Sequence, residues 1–228
     1  AVMGKLFDLD SPVMRFLNRV ADLLILNFLM IACCLPIITI GAAHTAMHYV
    51  LLKMIRGEEG YLIRGFFKSF AANFKQATVL WLIMLVVLLV YVGDALIFHY
   101  SLLQFPKALM IAVVVIAILL IMAGVYVFPL QARFENSIKN TLKNAMILAF
   151  ANLPKTVLMI VFYALPLVIG YFSAYSLIFV IMFGITVPAY GAAWLYSGIF
   201  KKFEPEEEEI SDLDFSISID KGNGEIDG

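Results

Sequence analysis

Two histidines four residues apart, His44 and His48, have the spacing with which one helix face supplies two metal ligands. A zinc site needs three or four ligands, however, and the only other histidine in the chain is His99. The metalloprotease pattern His-Glu-x-x-His is absent, since residues 45–47 are Thr-Ala-Met. We therefore predict no metal or other cofactor here, and expect both histidines to pack between closely spaced helices. The small residues that would allow this are Gly41, Ala42, Thr45 and Ala46.

Charged residues before the first apolar stretch form a second constellation. Arg15, Arg19 and Asp22 recur at i, i+4 and i+7, which places them on one helical face. An acid within a membrane is costly and normally has a partner, so we predict an Arg19–Asp22 pair at the interface. A gating or partner-contact role is the alternative. Asp94 is expected near the opposite interface, where it could line a polar vestibule with His99.

The sequence carries no recognisable catalytic motif. It has no phosphate-binding P-loop and no G-x-S-x-G nucleophile motif, and no pair of carboxylates suggests a hydrolytic cleft. We therefore predict that the protein is not an enzyme and has no catalytic residues.

The elements that carry these residues are expected to be membrane helices. The 228-residue chain is 63% hydrophobic and 14% charged, whereas a soluble domain is roughly 45–50% apolar. Stretches of 18 or more apolar residues with few charges are typical of transmembrane helices. The sequence predicts an all-α, polytopic bundle of five to six membrane segments. The charge-free stretches are Leu23–Leu52, Gln76–Gly93, Ala108–Ala132 and Thr156–Phe200.

The distribution of Lys and Arg predicts the orientation. Two connectors, the basic loops Lys53–Lys75 and Arg133–Lys155, hold five and four of these residues, whereas Ala95–Lys107 holds one and Gly170–Ser176 none. Because loops rich in Lys and Arg stay cytoplasmic, we expect both basic loops and both termini inside the cell. The four predicted crossings are Gln76–His99, Lys107–Ala132, Thr156–Tyr171 and Ser176–Phe200.

The first charge-free stretch is too long for one straight span, at about 45 Å if helical. Since the residues on both sides of it are expected in the cytoplasm, it should cross an even number of times. We predict a helical hairpin with arms over Met14–Leu35 and Ala42–Ile55 and a turn at Pro36–Gly41. The second arm is short enough to be re-entrant. The alternative is a single span with the N-terminus outside.

Each basic loop is expected to form an amphipathic helix at the cytoplasmic surface, the first with Phe66, Phe67, Phe70 and Phe74 as its apolar face. The second loop resembles the EAA loop with which permease subunits of binding-protein-dependent sugar importers dock into their ATPase. Glu135, Leu153 and Pro154 stand at the matching offsets, and form a candidate coupling loop. The motif's alanines, glycine and isoleucine are replaced, by Asn136, Ser137, Thr141 and Ala151.

The N-terminal third is similar to a known family. The segments LFDLDSPVMRFLNRVADLLILNFLMIACCLPIITIGAAHTA and KMIRGEEGYLIRGFFKSFAANFKQA, within Leu6–Ala77, resemble the YesL-like family of bacterial integral membrane proteins. The family has no assigned activity, and its genes commonly sit beside sugar import systems. The resemblance therefore implies an association with oligosaccharide uptake and supplies no catalytic residues.

Together these observations predict a multi-pass protein of the bacterial cytoplasmic membrane, with a transmembrane domain over residues 1–202 and an acidic tail over 203–228. The tail holds ten acidic residues and one lysine, a composition typical of solvated, flexible chain. The first functional hypothesis is an accessory or permease-like subunit of an ABC-type oligosaccharide importer, whose partners are the permease, the ATPase and the lipid bilayer, with no nucleic acid. The second is a membrane scaffold or sensor that docks through its cytoplasmic loops and tail. The third hypothesis, an independent carrier for a small solute, ranks last because the membrane midplane of the predicted bundle offers few polar residues.

Overall fold

The computed structural model describes residues 12–58, 60–100, 106–172 and 174–204. Eight α-helices and two short 3-10 turns, Ile37–Thr39 and Ala174–Ser176, make up this part of the chain. The all-α prediction is confirmed. The helices are α1 (Pro12–Cys34), α2 (Ile40–Arg56), α3 (Leu62–Tyr100), α4 (Lys107–Arg133), α5 (Ile138–Ala151), α6 (Leu153–Phe172), α7 (Leu177–Phe183) and α8 (Thr186–Phe200).

Four helices, α1, α3, α4 and α6, are long and apolar enough to span a membrane. The α7–α8 pair passes the same test as one broken span, bent by 48°. With the shorter α2 as a sixth segment, the arrangement matches the predicted multi-pass bundle.

The chain divides into two units, Ala1–Leu195 and Tyr196–Gly228. In the second unit the structure describes residues 196–204, where the rings of Tyr196 and Phe200 pack 5.1 Å apart. Residues 205–228 of the predicted acidic tail lie outside the described part of the chain.

The first two helices form the predicted hairpin. Arg19 Nη1, near the start of α1, donates a hydrogen bond of 2.9 Å to the carbonyl of Met54, near the end of α2, so the two helices run antiparallel. The turn occupies residues 35–39 and contains Pro36, which disfavours helical geometry at the residue before it. Thr39 Oγ1 donates to the Pro36 carbonyl at 2.7 Å and supports the turn.

Gly41 lies one helical position inside α2 and not in the turn, where we had placed it. A Cβ atom there would come within 2.6 Å of the Trp81 Cβ and would collide with the carbonyl group of Ala77. The glycine therefore permits close packing of α2 on α3.

The turn of the hairpin lies beside the middle of α3. Trp81 Nε1 donates to the Ile37 carbonyl at 2.8 Å, and Trp81 stands 19 residues, or about 28 Å, from either end of α3. Because the charge-free stretch of α3 begins at Gln76, the turn reaches about 8 Å beyond that point. A hairpin that turns beside the middle of α3 fits the alternative in which its second arm is re-entrant.

The helix predicted in the first basic loop forms, but it is continuous with the crossing that follows it. Helix α3 runs without a break through Lys75 and Gln76 for 39 residues, about 58 Å. It contains no proline to interrupt it, and its first half packs on α2 through inward-facing side chains such as Phe66 and Ser69. The four phenylalanines do not form one exposed face, since Phe66 is buried while Phe67 is 47% exposed.

The predicted crossing Ser176–Phe200 is a broken span, because the helix stops at Phe183 and resumes at Thr186. The side chain of Asn27 on α1 replaces the lost helical hydrogen bonds. Its Nδ2 donates to the Ile181 carbonyl at 2.7 Å, and its Oδ1 accepts from the backbone N–H of Ile185 and Thr186 at 3.4 and 3.3 Å. A broken helix is tolerated in a bilayer only where such partners satisfy the freed backbone.

Candidate functional site

The candidate coupling residues lie at the two ends of α5. Glu135 is exposed in the extended connection between α4 and α5, and Ser137 caps α5, its Oγ accepting from the Asn140 N–H at 3.4 Å. Leu153 and Pro154 are exposed at the start of α6, directly after α5. The structure therefore places the three residues around one short helix, which α4 and α6 present.

Buried hydrogen bonds fix α5 to the bundle. Gln131 on α4 donates from Nε2 to Asn73 Oδ1 on α3 at 3.2 Å, and its Oε1 accepts from Thr141 on α5 at 3.5 Å. Gln76 on α3 donates to the Asn136 carbonyl, just before α5. These contacts place the two basic loops at the same end of the first unit, which we call the basic end.

Thr141 stands where the permease motif has its glycine, and its side chain is fully buried. A small residue is needed at this position because α5 packs here against the end of α4. The other end of α5 is fixed through Thr156, whose Oγ1 donates to the Ala149 carbonyl at 3.0 Å and lies 3.1 Å from the Tyr126 hydroxyl. Helix α5 is thus held at both ends.

The opposite side of α5 faces outward. Lys139, Lys143, Ile147 and Phe150 are exposed at intervals of four, four and three residues, which is one helical stripe. Ile147 and Phe150 are 52% and 50% exposed, and Leu153 continues the apolar part at 46%. A rigid helix with lysines at one end of a stripe and apolar side chains at the other can dock against a partner protein or lie among lipid headgroups.

The two histidines line a cavity of about 630 Å³ between α2, α3, α4, α5 and α6. The ring of His44 stacks on Phe128 with centroids 5.5 Å apart and lies 6.4 Å from the ring of His48. His48 is buried, as are Gly41, Ala42, Thr45 and Ala46 around it, so both histidines occupy the close helix contact that we expected. Within the described residues, no group of three or more His, Cys, Asp or Glu side chains could hold a metal ion.

Arg19 and Asp22 line a second cavity, of about 780 Å³, at the basic end. Their charges interact, but no ion pair within 4 Å joins them, because Arg19 directs its guanidinium to the Met54 carbonyl. Arg15 is exposed and does not line this cavity, and Asp94 is half-buried near the other end of α3. The side chain of His99 lies outside what the structure describes, so the proposed vestibule stays a prediction.

The residues that hold the helices in register are amides that sequence reasoning did not single out as functional. They are Asn27, Asn73 and Gln131. Two of them had a signal in the sequence, since Asn27 lies within a charge-free stretch and Gln131 at the end of another, whereas Asn73 lies in the first basic loop. Such a residue in a membrane needs an internal partner.

Comparison with protein families matched part of the chain. The model of a family described as a protein of unknown function, DUF624, matches residues 23–95, which extend from α1 through most of α3. No curated protein and no solved structure matches the chain.

Proposed function

We propose that the protein is an accessory or permease-like membrane subunit of an ABC-type oligosaccharide importer, without chemistry of its own. The resemblance of Leu6–Ala77 to the YesL-like family supports this proposal, and the matched family region overlaps the same residues. The protein would lie in the bacterial cytoplasmic membrane with its basic end in the cytoplasm, since that end holds both basic loops.

The geometry of α5 carries the proposal. An ATPase transmits its motion through a short helix only if that helix is rigidly attached to the membrane spans. Thr141 and Thr156 attach α5 to the bundle through buried hydrogen bonds, while Ile147 and Phe150 stay exposed on the other side. Exposed apolar side chains that are surrounded by polar residues are typical of protein contact sites.

An assisting role fits the interior better than transport by this chain alone. The polar side chains in the His44 cavity are few, and apolar side chains of α3 and α4 form most of its wall. A sugar carries many hydroxyl groups, each of which loses water on entry and needs a hydrogen-bonding partner. The sugar would therefore pass through the partner permease.

The second candidate is a scaffold or sensor that docks partners through the cytoplasmic loops and the acidic tail. The ten acidic residues of Phe203–Gly228 favour it, because such a block attracts basic surfaces.

Affinity purification of the chain from membranes that contain the importer encoded beside its gene tests the proposal. We expect permease and ATPase to co-purify, and we expect Ile147→Ala with Phe150→Ala to reduce their yield. A matched control is Val86→Ala with Leu89→Ala, two exposed apolar residues of α3. The proposal fails if permease and ATPase remain associated with each other but do not co-purify with this chain.

Removal of residues 205–228 should leave transport intact under the first candidate and abolish partner binding under the second.

The candidate coupling residue can be tested separately. Glu135→Ala should lower substrate-stimulated ATPase activity, whereas Asp94→Asn, far from α5 along the chain, should not. Equal effects of the two substitutions would remove the coupling role from Glu135.

A further inference from the structure

The cavity of about 780 Å³ at the basic end has a cationic lining that the proposed function does not use. Four of its lining residues are basic, from three helices: Arg19 on α1, Lys53 on α2, and Arg64 and Lys68 on α3. Two are acidic, Asp22 and Glu58. The described lining therefore has a surplus of two positive charges (4 − 2).

Two of the cations are already oriented. Arg19 is held by its hydrogen bond of 2.9 Å to the Met54 carbonyl, which leaves the other donors of its guanidinium for a ligand. Lys53 lies over the ring of Tyr49, with its Nζ 5.3 Å from the ring centroid. Its Nζ is 3.8 Å from Glu58, and because both side chains are more than a third exposed, this pair is weak and easily exchanged.

The other two cations are available. Arg64 and Lys68 stand one turn apart on α3, both exposed, and neither makes an ion pair with any described residue. The first turn of α3 borders the same cavity through Leu62 and Gly65, and the N-terminus of a helix adds partial positive charge. Apolar wall is present as well, from Val50 and Met54.

We propose that this cavity binds the phosphate group of an anionic ester. A phosphate is the anion that fits the lining best, because Arg binds it through paired donors and Lys adds point charge. The apolar wall suits the carbon portion of an ester. Basic pockets between membrane helices at the cytoplasmic side bind such groups from anionic lipids, and a soluble phosphate ester has the same chemistry. This inference does not depend on an importer partner.

The test is native mass spectrometry of the purified full-length chain with short-chain phosphatidylglycerol and, separately, phosphatidylcholine. We expect phosphatidylglycerol to bind and phosphatidylcholine, which has no net charge, to bind much more weakly. Arg64→Gln with Lys68→Gln should weaken binding on the order of 25-fold, at about fivefold for each cation removed. Glu58→Gln should strengthen it about fivefold, because it removes a negative charge from the lining.

The matched control is Lys201→Gln with Lys202→Gln, which removes two exposed cations that do not line the cavity. This control should bind as the unmodified chain does. Competition by millimolar glycerol phosphate would assign the site to soluble esters, and lack of competition would assign it to lipid; either result supports a phosphate site. Equal binding of the two lipids, or equal losses in the Arg64/Lys68 variant and the control, would overturn the proposal.

Discussion

Single polar side chains determine where this apolar chain can bend and pack. Asn27 is an example, since it is fully buried and makes hydrogen bonds to three backbone groups around the α7–α8 break. Without it, those groups would lie unpaired in an apolar environment.

Asn27→Ala should therefore lower the free energy of unfolding by about 1–3 kcal/mol, the cost of leaving buried polar groups unpaired. The measurement is thermal unfolding of the purified protein in detergent. Asn18→Ala is the matched control, because Asn18 is an exposed asparagine on the same helix and should change little. Equal melting temperatures for the two variants would contradict the role given to Asn27.

Gly41 is the residue at which α2 packs most closely on α3. Gly41→Ala should destabilise the protein by about 1–3 kcal/mol, because the added Cβ meets backbone of Ala77 and the Cβ of Trp81. Gly93→Ala on α3 is the control, since a Cβ there meets nothing within 4 Å. Unfolding measurements that place Gly41→Ala at or above the stability of Gly93→Ala would show that α2 and α3 are not packed as described.

Among the elements, those bounded by charge or proline could be predicted from the sequence. Helices α4 and α6 begin and end within a few residues of the expected crossings, and the hairpin turns at Pro36. The continuity of α3 could not be predicted, because charge density indicates where a chain leaves the membrane and not whether its helix stops. The α7–α8 break could not be predicted either, because the side chain that stabilises it, Asn27, lies more than 150 residues away in sequence.

Cysteine labelling can measure how far the α1–α2 hairpin enters the membrane. After Cys33 and Cys34 are replaced by alanine, single cysteines at Ile38, Ala95 and Lys68 can be reacted with a membrane-impermeant maleimide in intact and inverted vesicles. We expect Ala95→Cys to react from one side and Lys68→Cys from the other. If the hairpin is re-entrant, Ile38→Cys should react from neither side, because its turn lies beside Trp81 in the middle of α3. Labelling of Ile38→Cys as fast as Ala95→Cys would mean that the hairpin crosses fully.

In the whole molecule, the described helices form a bundle whose longest members are apolar enough to span a membrane. The candidate coupling residues could be picked from sequence because they follow a motif's spacing. The stripe Lys139–Phe150 could not, since exposure depends on which face of α5 meets Gln131 and Thr156. The cavity of about 780 Å³ at the basic end could not be predicted either, because its cations come from three helices that only the fold brings together.

We expect the exposed stripe of α5 to contact an importer subunit. A photoreactive benzoyl-phenylalanine at Phe150, activated in native membranes that contain the importer, tests it most directly. The same residue at Leu89, an exposed apolar position of α3, serves as control. We expect a covalent adduct with the permease or the ATPase at Phe150 and none with the ATPase at Leu89. Adducts with lipid alone at Phe150, in membranes where permease and ATPase remain assembled, would contradict it.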